Sequence, residues 1–450
     1  MKKIILFILF AIPALCFAQK PAKTTEDGIN PVGIIKGLSD SALLDVVQRQ
    51  TFRYFWDFGH PTSGLARERS NVAYDYGNEV VTTGGSGFGI MALIVADHRK
   101  FITHQQAVER MLKIVEFLYK ADAFHGVFPH WLNGETGKVI RFGRKDDGGD
   151  LVETSYLFEG LLCARQYFTG NDNKERHIRD VIGWMWSEIE WDWYTRGGRD
   201  NLYWHWSPNN GWAMNFAIRG FNECLITYIL AESGERYPVS PNVYHNGWAQ
   251  SDFFKNGKTF YGHKLPLGFD YGGPLFFSQY SFMGLDPKGL KDEYADYWEQ
   301  NVNHTLINHD YCVDNPKKYK GYGEDCWGLT ASDNYEGYNA HSPTNDLGVI
   351  SPTAALSAFP YTPEYSMKAL RHFYYDLGDQ IWGEYGFTDA FSESHNWYGK
   401  SYLAIDQGPE IVMIENYRSG LLWKLFMSCP EVQHGLKKIG FTSPMLHKGN

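Results

Sequence analysis

The chain has 450 residues, of which 43% are hydrophobic and 21% charged, a composition typical of a folded globular protein. Asp and Glu outnumber Lys and Arg by 52 to 42. This acidic balance argues against nucleic acid, an anionic membrane surface or a polyanionic substrate as the main binding partner.

Residues 1–18 have the layout of a secretory signal peptide. Two lysines precede an apolar run, 4–15, that is too short to span a bilayer, and the small residue Ala18 precedes the predicted cleavage site. The bulky Leu15 before Cys16 disfavours a lipid anchor. Because no second apolar segment approaches membrane length, we predict a periplasmic or secreted protein without membrane insertion.

Helical periodicity dominates the chain beyond an extended polar leader, 19–38, and we predict one all-α domain over 39–450. Thr103 and Gln106 form a predicted capping box ahead of an amphipathic helix that runs to residue 118. Further helices are predicted near 39–58, 86–100, 150–169, 174–194, 215–232, 274–283, 287–308, 363–378 and 409–428.

Long loops rich in Gly, Trp, Tyr, His and Asp separate these helices, at 125–149, 203–215, 244–273, 315–353 and 382–407. Loops of this length are usually functional or disordered, and their aromatic content argues against disorder. Helices joined by such loops favour a closed ring of helical hairpins, with the loops at the mouth of the site.

Several motifs are absent or ambiguous. The glycine-rich stretch 83–89 lacks the Lys-Ser/Thr of a phosphate-binding loop, and we expect it to allow close backbone approach at the ring mouth. Five cysteines remain after residue 18, which is no disulfide framework, although Cys312 and Cys326 are candidates to pair. Because neither a Cys-x-x-Cys nor a His-Glu-x-x-His motif occurs, no metal and no cofactor are predicted.

A cluster of acids at the start of one predicted helix is the first candidate site. Asp146 precedes Asp150 and Glu153, whose three-residue spacing places them on one helical face. Like charges raise one pKa while a helix N-terminus lowers another, so one carboxyl can stay protonated beside an ionised one, as glycoside hydrolysis requires. An ordinary helix cap explains Asp150 and Glu153 equally well, and the two roles can coexist.

Two further acids stand apart from this cluster. Glu223 lies in an otherwise apolar predicted helix, where it either faces a pocket or pairs with Arg219. Asp406 precedes a Gly-Pro turn that opens a predicted helix. It is a candidate to bind a sugar hydroxyl or to activate water, with a second N-terminal cap as the alternative.

Aromatic side chains in the loops are candidate platforms for the apolar faces of sugars. Any single one of them is also explained as an anchor that packs a loop onto the core. The candidates for substrate binding are Trp131, Trp204, His205, Trp206, Trp212, Trp327, Tyr335 and Trp397, together with Asp406.

Seven segments occur in a family-specific order from about residue 42 onwards: Phe52–Trp56, Gly64–Arg67, Asp150–Thr154, Tyr203–Pro208, Gly273–Phe277, Tyr280–Pro287 and Ile405–Pro409. On these segments the chain resembles the glucoamylase-like proteins of Bacteroidetes. That group contains glycoside hydrolase family 144, the bacterial endo-β-1,2-glucanases.

The resemblance implies an (α/α)6 toroid and metal-independent hydrolysis of β-1,2-glucan with inversion at the anomeric carbon. It implies that Asp146, Asp150, Glu153 and Glu223 are the acidic pocket residues. An inverting pair needs its carboxyls roughly 6.5–9.5 Å apart, a wider spacing than we expect between neighbours on one helical turn. We therefore predict Glu223 as the general acid and a member of the Asp146, Asp150 and Glu153 group as the base.

Two other readings stay open on sequence alone. A toroid enzyme of different chemistry, such as a hydrolase of another linkage, a lyase or an epimerase, is the first, although the acidic balance disfavours a uronate lyase. The second is a glycan-binding protein without catalysis, which needs aromatic platforms but no carboxylate cluster.

Overall fold

A computed structural model describes residues 33–70 and 79–446, so the predicted signal peptide and most of the predicted leader lie outside the described residues. Helices dominate the described residues, which confirms the all-α prediction. The helices are α1 Asp40–Trp56, α2 Thr83–His98, α3 His104–Leu118, α4 Leu151–Tyr167, α5 Asn173–Ser187, α6 Leu225–Ser233, α7 Tyr297–Asp314, α8 Pro352–Leu356, α9 Pro363–Arg371, α10 Gly378–Ile381, α11 Ala404–Arg418, α12 Leu421–Met427 and α13 Pro430–Lys438.

Short strands of two to four residues pair antiparallel within the loops. One sheet has the order β1-β2-β3, and the other strands form two-stranded pairs, of which β4 with β5 joins segments that are distant in the chain. The strands are β1 Val80–Thr82, β2 Trp131–Asn133, β3 Val139–Ile140, β4 Gly149–Asp150, β5 His205–Trp206, β6 Thr259–Phe260, β7 His263–Lys264, β8 Ala331–Asn334, β9 Gly337–Ala340, β10 Trp382–Gly383, β11 Gly386–Phe387, β12 Phe391–Ser392 and β13 Trp397–Tyr398.

The most deeply buried elements form a closed inner ring. α2 packs between α4 and α11, α4 packs on α6, and α11 packs on α8. The two 3₁₀ turns within 275–282 complete the ring, since they contact α6 and Gln279 donates to the carbonyl of Ala354 in α8 (2.9 Å). The outer layer packs on this ring: α1 and α3 on α2, α5 and α12 on α4, α13 on α6, α7 on 275–278 and α9 on α8. Six inner elements with an outer helical layer make an (α/α)6 toroid.

Glycines allow α2 and α4 to approach each other at backbone distance. A Cβ atom on Gly87 would lie 2.1 Å from the carbonyl oxygen of Tyr156, and one on Gly160 would lie 2.2 Å from the carbonyl oxygen of Gly87. The stretch 83–89 is therefore the first half of a buried helix and not a loop, and the close approach expected there is made to the neighbouring helices.

Capping side chains explain where several helices begin. Ser39 accepts a hydrogen bond from the Ala42 N–H at the start of α1, and the capping box of Thr103 with Gln106 is confirmed at the start of α3. Asp296 caps α7 and makes this helix begin at Tyr297, ten residues later than predicted.

Glycine backbone conformations explain the largest differences from the predicted helices. Gly220, with φ +74°, lies in the region predicted as the start of a helix over 215–232, and α6 begins only at Leu225. Gly420, with φ +66°, separates α11 from α12 within the predicted helix 409–428. The predicted helix 274–283 consists of two 3₁₀ turns.

The cysteines of the described residues are all free and buried, so Cys312 and Cys326 do not form the disulfide that their spacing allowed. Within 33–70 and 79–446, no helix combines the length and the apolar character needed to cross a membrane.

The glycine contact between α2 and α4 generates a stability prediction. Gly87→Ala forces the two backbones apart and should lower the free energy of unfolding by about 1–3 kcal/mol, as overpacking does. Gly183→Ala in α5 is the matched control, because a Cβ there meets nothing within 4 Å. It should be neutral or stabilise by up to about 1 kcal/mol through helix propensity. Urea unfolding measures both variants, and equal effects would contradict the account.

Candidate active site

Inner helices begin together at one mouth of the toroid. The Gly84 N–H at the start of α2 donates to Glu153 in the first turn of α4 (2.7 Å). Thr353 at the start of α8 donates to the carbonyl of Asp406 in the first turn of α11 (2.8 Å). Helix N-termini carry partial positive charge, so this mouth favours carboxylates. The predicted acids collect there.

Asp150 caps α4 and also binds a histidine. Its Oδ1 accepts from the N–H groups of Val152 (3.1 Å) and Glu153 (3.0 Å), and its Oδ2 accepts from Nδ1 of His130 (2.9 Å). Burial alone would raise the pKa of this fully buried carboxyl, but these hydrogen bonds and the charges of His130 and His205 lower it. The capping role that the sequence offered for Asp150 is confirmed, and its catalytic role stays a prediction.

Two histidines lie against these carboxylates. Burial opposes protonation of His130, but the negative charges of Glu153, Asp150 and Asp146 raise its pKa to about 9, so the ring is an imidazolium at neutral pH. Nδ1 of His205 lies 3.1 Å from Oδ2 of Asp146 and 3.7 Å from Oδ2 of Asp150. The pKa of His205 is raised in the same way against its own burial.

Glu153 and Asp146 belong to the same cluster as Asp150, whereas Asp147 does not. Burial, together with the charge of Asp150, raises the pKa of Glu153, although Gly84 and His130 act in the opposite direction. The neighbouring Asp147 instead accepts hydrogen bonds from Arg141 (3.1 Å) and Asn209 (2.8 Å). Asp146 therefore joins Asp150 and Glu153, whereas Asp147 holds the loop.

Glu223 reaches the same mouth from the turn before α6, and not from within a helix as predicted. Burial raises its carboxyl pKa to about 7, and the charge of Glu153 adds to the effect. Its Oε2 is buried without a hydrogen-bond partner, and none of the ion pairs among the described residues joins it to Arg219. The salt-bridge explanation is therefore wrong, and the side chain remains available to a ligand.

A second acidic cluster lies around Asp406. Burial and the charge of Asp333 raise the pKa of Asp389 to about 7, and burial with the charge of the neighbouring Asp389 raises the pKa of Asp406 well above its ordinary value. The Asp333 N–H donates to Asp389 (2.6 Å), and Arg69 binds both oxygens of Asp333 at 2.9 and 3.1 Å. One proton shared between Asp389 and Asp406 satisfies this geometry.

The boundary predicted at Asp406 is wrong. Helix α11 begins at Ala404 with Leu403 as N-cap, and Asp406 is its third residue, so it is no N-terminal cap. Tyr280 is close to acids of both clusters. Burial is the main cause of its raised pKa, and the charges of Asp406, Glu153 and Glu223 raise it further.

Aromatic rings surround the first cluster. β5 pairs with β4, so His205 lies opposite Asp150 and Trp206 opposite Gly149. Trp204 stacks on Phe216 with ring centroids 5.3 Å apart, and Phe216 is 52% exposed. These rings offer a flat apolar surface beside the carboxylates.

The other aromatic residues predicted to bind sugar have different surroundings in the structure. Trp131 is buried and meets Phe142 edge-on, and Trp212 is half-buried and packs on Tyr194 and Tyr203. Tyr335 stacks on His395 at 3.9 Å, and the half-buried Trp397 lies in β13.

The prediction that Trp327 binds substrate is wrong. It is completely buried in a second apolar core and packs edge-on against His309 (5.3 Å), so it cannot offer a face to a sugar. The alternative weighed for every aromatic, that it anchors a loop to the core, is correct for this one.

Comparison with known proteins identifies the family. Residues 215–430 match the family described as putative glucoamylase, and 47–151 match one described as a protein of unknown function. A putative glucoamylase from Bacteroides uniformis is 62% identical, with a TM-score of 0.90 over 92% of this chain and 100% of that one. An endo-β-1,2-glucanase from Chitinophaga pinensis is 58% identical, with a TM-score of 0.89 over 91% and 100%. The chain belongs to the glucoamylase-like proteins of glycoside hydrolase family 144.

A longer relative also matches. An exo β-1,2-glucooligosaccharide sophorohydrolase from Parabacteroides distasonis is 49% identical over 424 residues, which are 89% of this chain. The chain spans 58% of the length of that relative. These matches confirm the family resemblance that the seven sequence segments indicated. They also confirm the predicted (α/α)6 toroid.

Sequence reasoning missed several residues of the candidate site. Asp389, Asp333 and Arg69 belong to the second cluster, and Phe142 and Phe216 are exposed rings near the first. None of them has a motif, because their partners are far away in the chain. His130 had a weak signal, since it directly precedes the candidate platform Trp131 in the sequence.

The imidazolium of His130 generates the second prediction. Glu153→Gln removes the largest charge that raises the pKa of His130, so this pKa should fall from about 9. A titration of the histidine ring signals by nuclear magnetic resonance measures the change. His104, whose pKa is raised mainly by its hydrogen bond to Asp97, is the internal control and should not move. A His130 pKa that is the same in both proteins would contradict the proposed charge balance.

Proposed function

We propose that the protein is an exported glycoside hydrolase that cleaves β-1,2-linked glucan within the chain and with inversion. One observation carries the proposal: Glu223, a half-buried glutamic acid whose pKa is raised to about 7, shares the mouth with a carboxylate group whose member Asp150 has a lowered pKa. Two carboxyls with pKa values moved in opposite directions are what acid and base catalysis of glycosidic cleavage requires.

Glu223 is the proposed general acid. Its carboxyl group retains a proton up to about neutral pH because burial disfavours the anion. No cation among the described residues forms an ion pair with it, so the proton is available to the departing glycosidic oxygen. Transfer of this proton lets the bond to the anomeric carbon break without release of an alkoxide.

The base comes from Asp146, Asp150 or Glu153. Asp150 is fully buried and both its oxygens already accept hydrogen bonds, so its main task is to keep His130 charged and α4 in place. The side chain of Glu153 is 11% exposed, compared with 2% for Asp146 and 0% for Asp150. Glu153 is therefore the member most accessible to the attacking water. Burial raises its pKa, but the charge of His130 and the Gly84 N–H favour the ionised form that a base needs.

The relatives support the choice of substrate and the mode of attack. The Chitinophaga enzyme is named an endo-β-1,2-glucanase and is matched over its full length at 58% identity. The Parabacteroides enzyme is named for exo release of a disaccharide, at 49% identity. We therefore propose endo attack, with exo release of disaccharide as the second candidate. The lengths of the first products distinguish the two.

Export is part of the proposal and rests on the apolar run behind Lys2 and Lys3 and on the small residue Ala18. Sequencing of the N-terminus of protein taken from the periplasm or the medium tests this part. A first residue of Gln19 is expected, and recovery of uncleaved protein from the cytoplasm would refute it.

The role of Glu223 generates the third prediction. Glu223→Gln should lower kcat on linear β-1,2-glucan by about 10²–10⁴-fold, the usual contribution of a general acid. The amide cannot supply a proton but keeps the shape of the side chain, so KM should change little. New reducing ends and circular dichroism measure turnover and folding.

Glu410→Gln is the matched control. Glu410 is also buried, and burial raises its pKa to about 8, but it faces Thr51 of α1 (3.2 Å) and lies outside the proposed machinery. It should keep wild-type turnover. If Glu410→Gln and Glu223→Gln lost activity equally, the loss would reflect the removal of any buried acid and not general acid catalysis.

The fourth prediction concerns pH. Because the acid must be protonated, kcat/KM should fall as pH rises through about 7, the pKa of Glu223. Asp389 also has a pKa of about 7, so Asp389→Asn serves to separate the two groups. The alkaline limb should stay at the same pH in this variant. A limb that disappears with Asp389→Asn would assign the acid to the second cluster instead.

A further inference from the structure

We propose that Cys326, His372 and Glu393 form a zinc site outside the catalytic mouth. One ligand atom from each of the three lies within 4.8 Å of the other two. The residues come from three segments that are 46 and 21 residues apart in the chain, so no short motif could reveal the site in the sequence. The inference does not depend on the proposed glucan hydrolysis.

Cys326 is the buried ligand. Its residue is 3% exposed, and a tight turn fixes it through reciprocal backbone hydrogen bonds between Gly323 and Cys326 (3.1 and 3.2 Å). None of the hydrogen bonds among the described residues involves its Sγ. A thiolate is the ligand that zinc prefers, and the buried turn holds it in a fixed position.

His372 has the carboxylate partner that metal-bound histidines usually have. Its Nδ1 is 2.9 Å from Oδ2 of Asp376, one helical turn later in the π-helical turn 372–376. A carboxylate that accepts from Nδ1 fixes the tautomer and leaves Nε2 with a free lone pair. This nitrogen makes no hydrogen bond with any described residue, so it is available to the metal.

Glu393 completes the set from the turn between β12 and β13. Its carboxyl packs against Gly321, where a Cβ would lie 2.4 Å from Oε1, and its Oε2 is 3.5 Å from Nζ of Lys320. This lysine is largely exposed, so the ion pair is weak and can rearrange when the carboxylate binds a cation.

The ligand set fits zinc in charge and in type. A thiolate, a carboxylate and a neutral imidazole balance Zn²⁺, and a water fills the fourth tetrahedral position. On binding, the Cys326 thiol releases its proton to solvent. The other cluster of possible ligands, His60, Glu79 and Glu135, is less suitable. It has no sulfur, and His60 already uses both ring nitrogens in hydrogen bonds.

The metal would connect the 320–326 loop to the β12–β13 turn. Ser394 in that turn already accepts from the Lys320 N–H (2.6 Å), and the next residue, His395, stacks on Tyr335. Zinc would therefore stabilise a loop assembly at the rim of the toroid without entering the proposed chemistry.

The test uses the purified, chelator-treated and reduced protein with zinc sulfate. Isothermal titration should show one zinc per chain, and Co²⁺ should give the thiolate-to-cobalt absorption band of a tetrahedral site. Cys326→Ser should lose the cobalt band and weaken zinc binding at least about 100-fold, and Asp376→Asn should weaken it about 10–100-fold. Zinc should raise the Tm of the wild type by a few degrees but not that of Cys326→Ser.

Cys312→Ser is the matched control, because Cys312 is a neighbouring buried thiol that lies outside the cluster. It should retain both zinc binding and the cobalt band. If Cys326→Ser fails to fold, Glu393→Gln provides the same comparison. Absence of tight zinc binding, retention of the cobalt band in Cys326→Ser, or loss of binding only in His60→Gln would each overturn the proposal.

Discussion

The carboxylate of Asp150 is the interaction on which the rest of the site depends. One oxygen closes the N-terminus of α4, and the other binds His130, so a single buried group fixes a helix start and an imidazolium together. The partial positive charge of the helix end and the positive ring keep the carboxyl ionised against burial. Without that anion, the pKa of His130 would be lower. A neutral His130 would no longer favour the ionised form of Glu153.

The contrast with Glu223 follows from the same physics. Glu223 enters from a turn before α6, receives no side-chain cation and has its pKa raised by burial. Asp150 is fully buried but has donors on both oxygens. The fold thus places two acids in one mouth and moves their pKa values in opposite directions, because Asp150 has hydrogen-bond donors on both oxygens and Glu223 has none on its Oε2. The inner ring makes this possible, because the glycine contact of α2 with α4 brings their N-termini together.

The sequence predicted the features that depend on near neighbours. The capping box at Thr103, the amphipathic face of α3 and the spacing of Asp150 and Glu153 involve residues within one or two turns. Features that depend on distant partners were not predictable. Asp333 meets Asp389, 56 residues away, and Arg69, 264 residues away. The burial of Trp327 was also not predictable from near neighbours. A tryptophan that anchors a loop and one that binds a sugar are the same residue type, and they differ only in what the fold packs around them.

The measurement that most directly tests the account is the release of reducing ends from linear β-1,2-glucan, compared with starch and β-1,3-glucan, in the presence of a chelator. The account predicts cleavage of the β-1,2-linked polymer alone, with intermediate-length products before disaccharide accumulates. Cleavage of starch, or no cleavage of any polymer by folded protein, would contradict the assigned substrate. Disaccharide as the sole first product would keep the linkage and replace endo with exo attack.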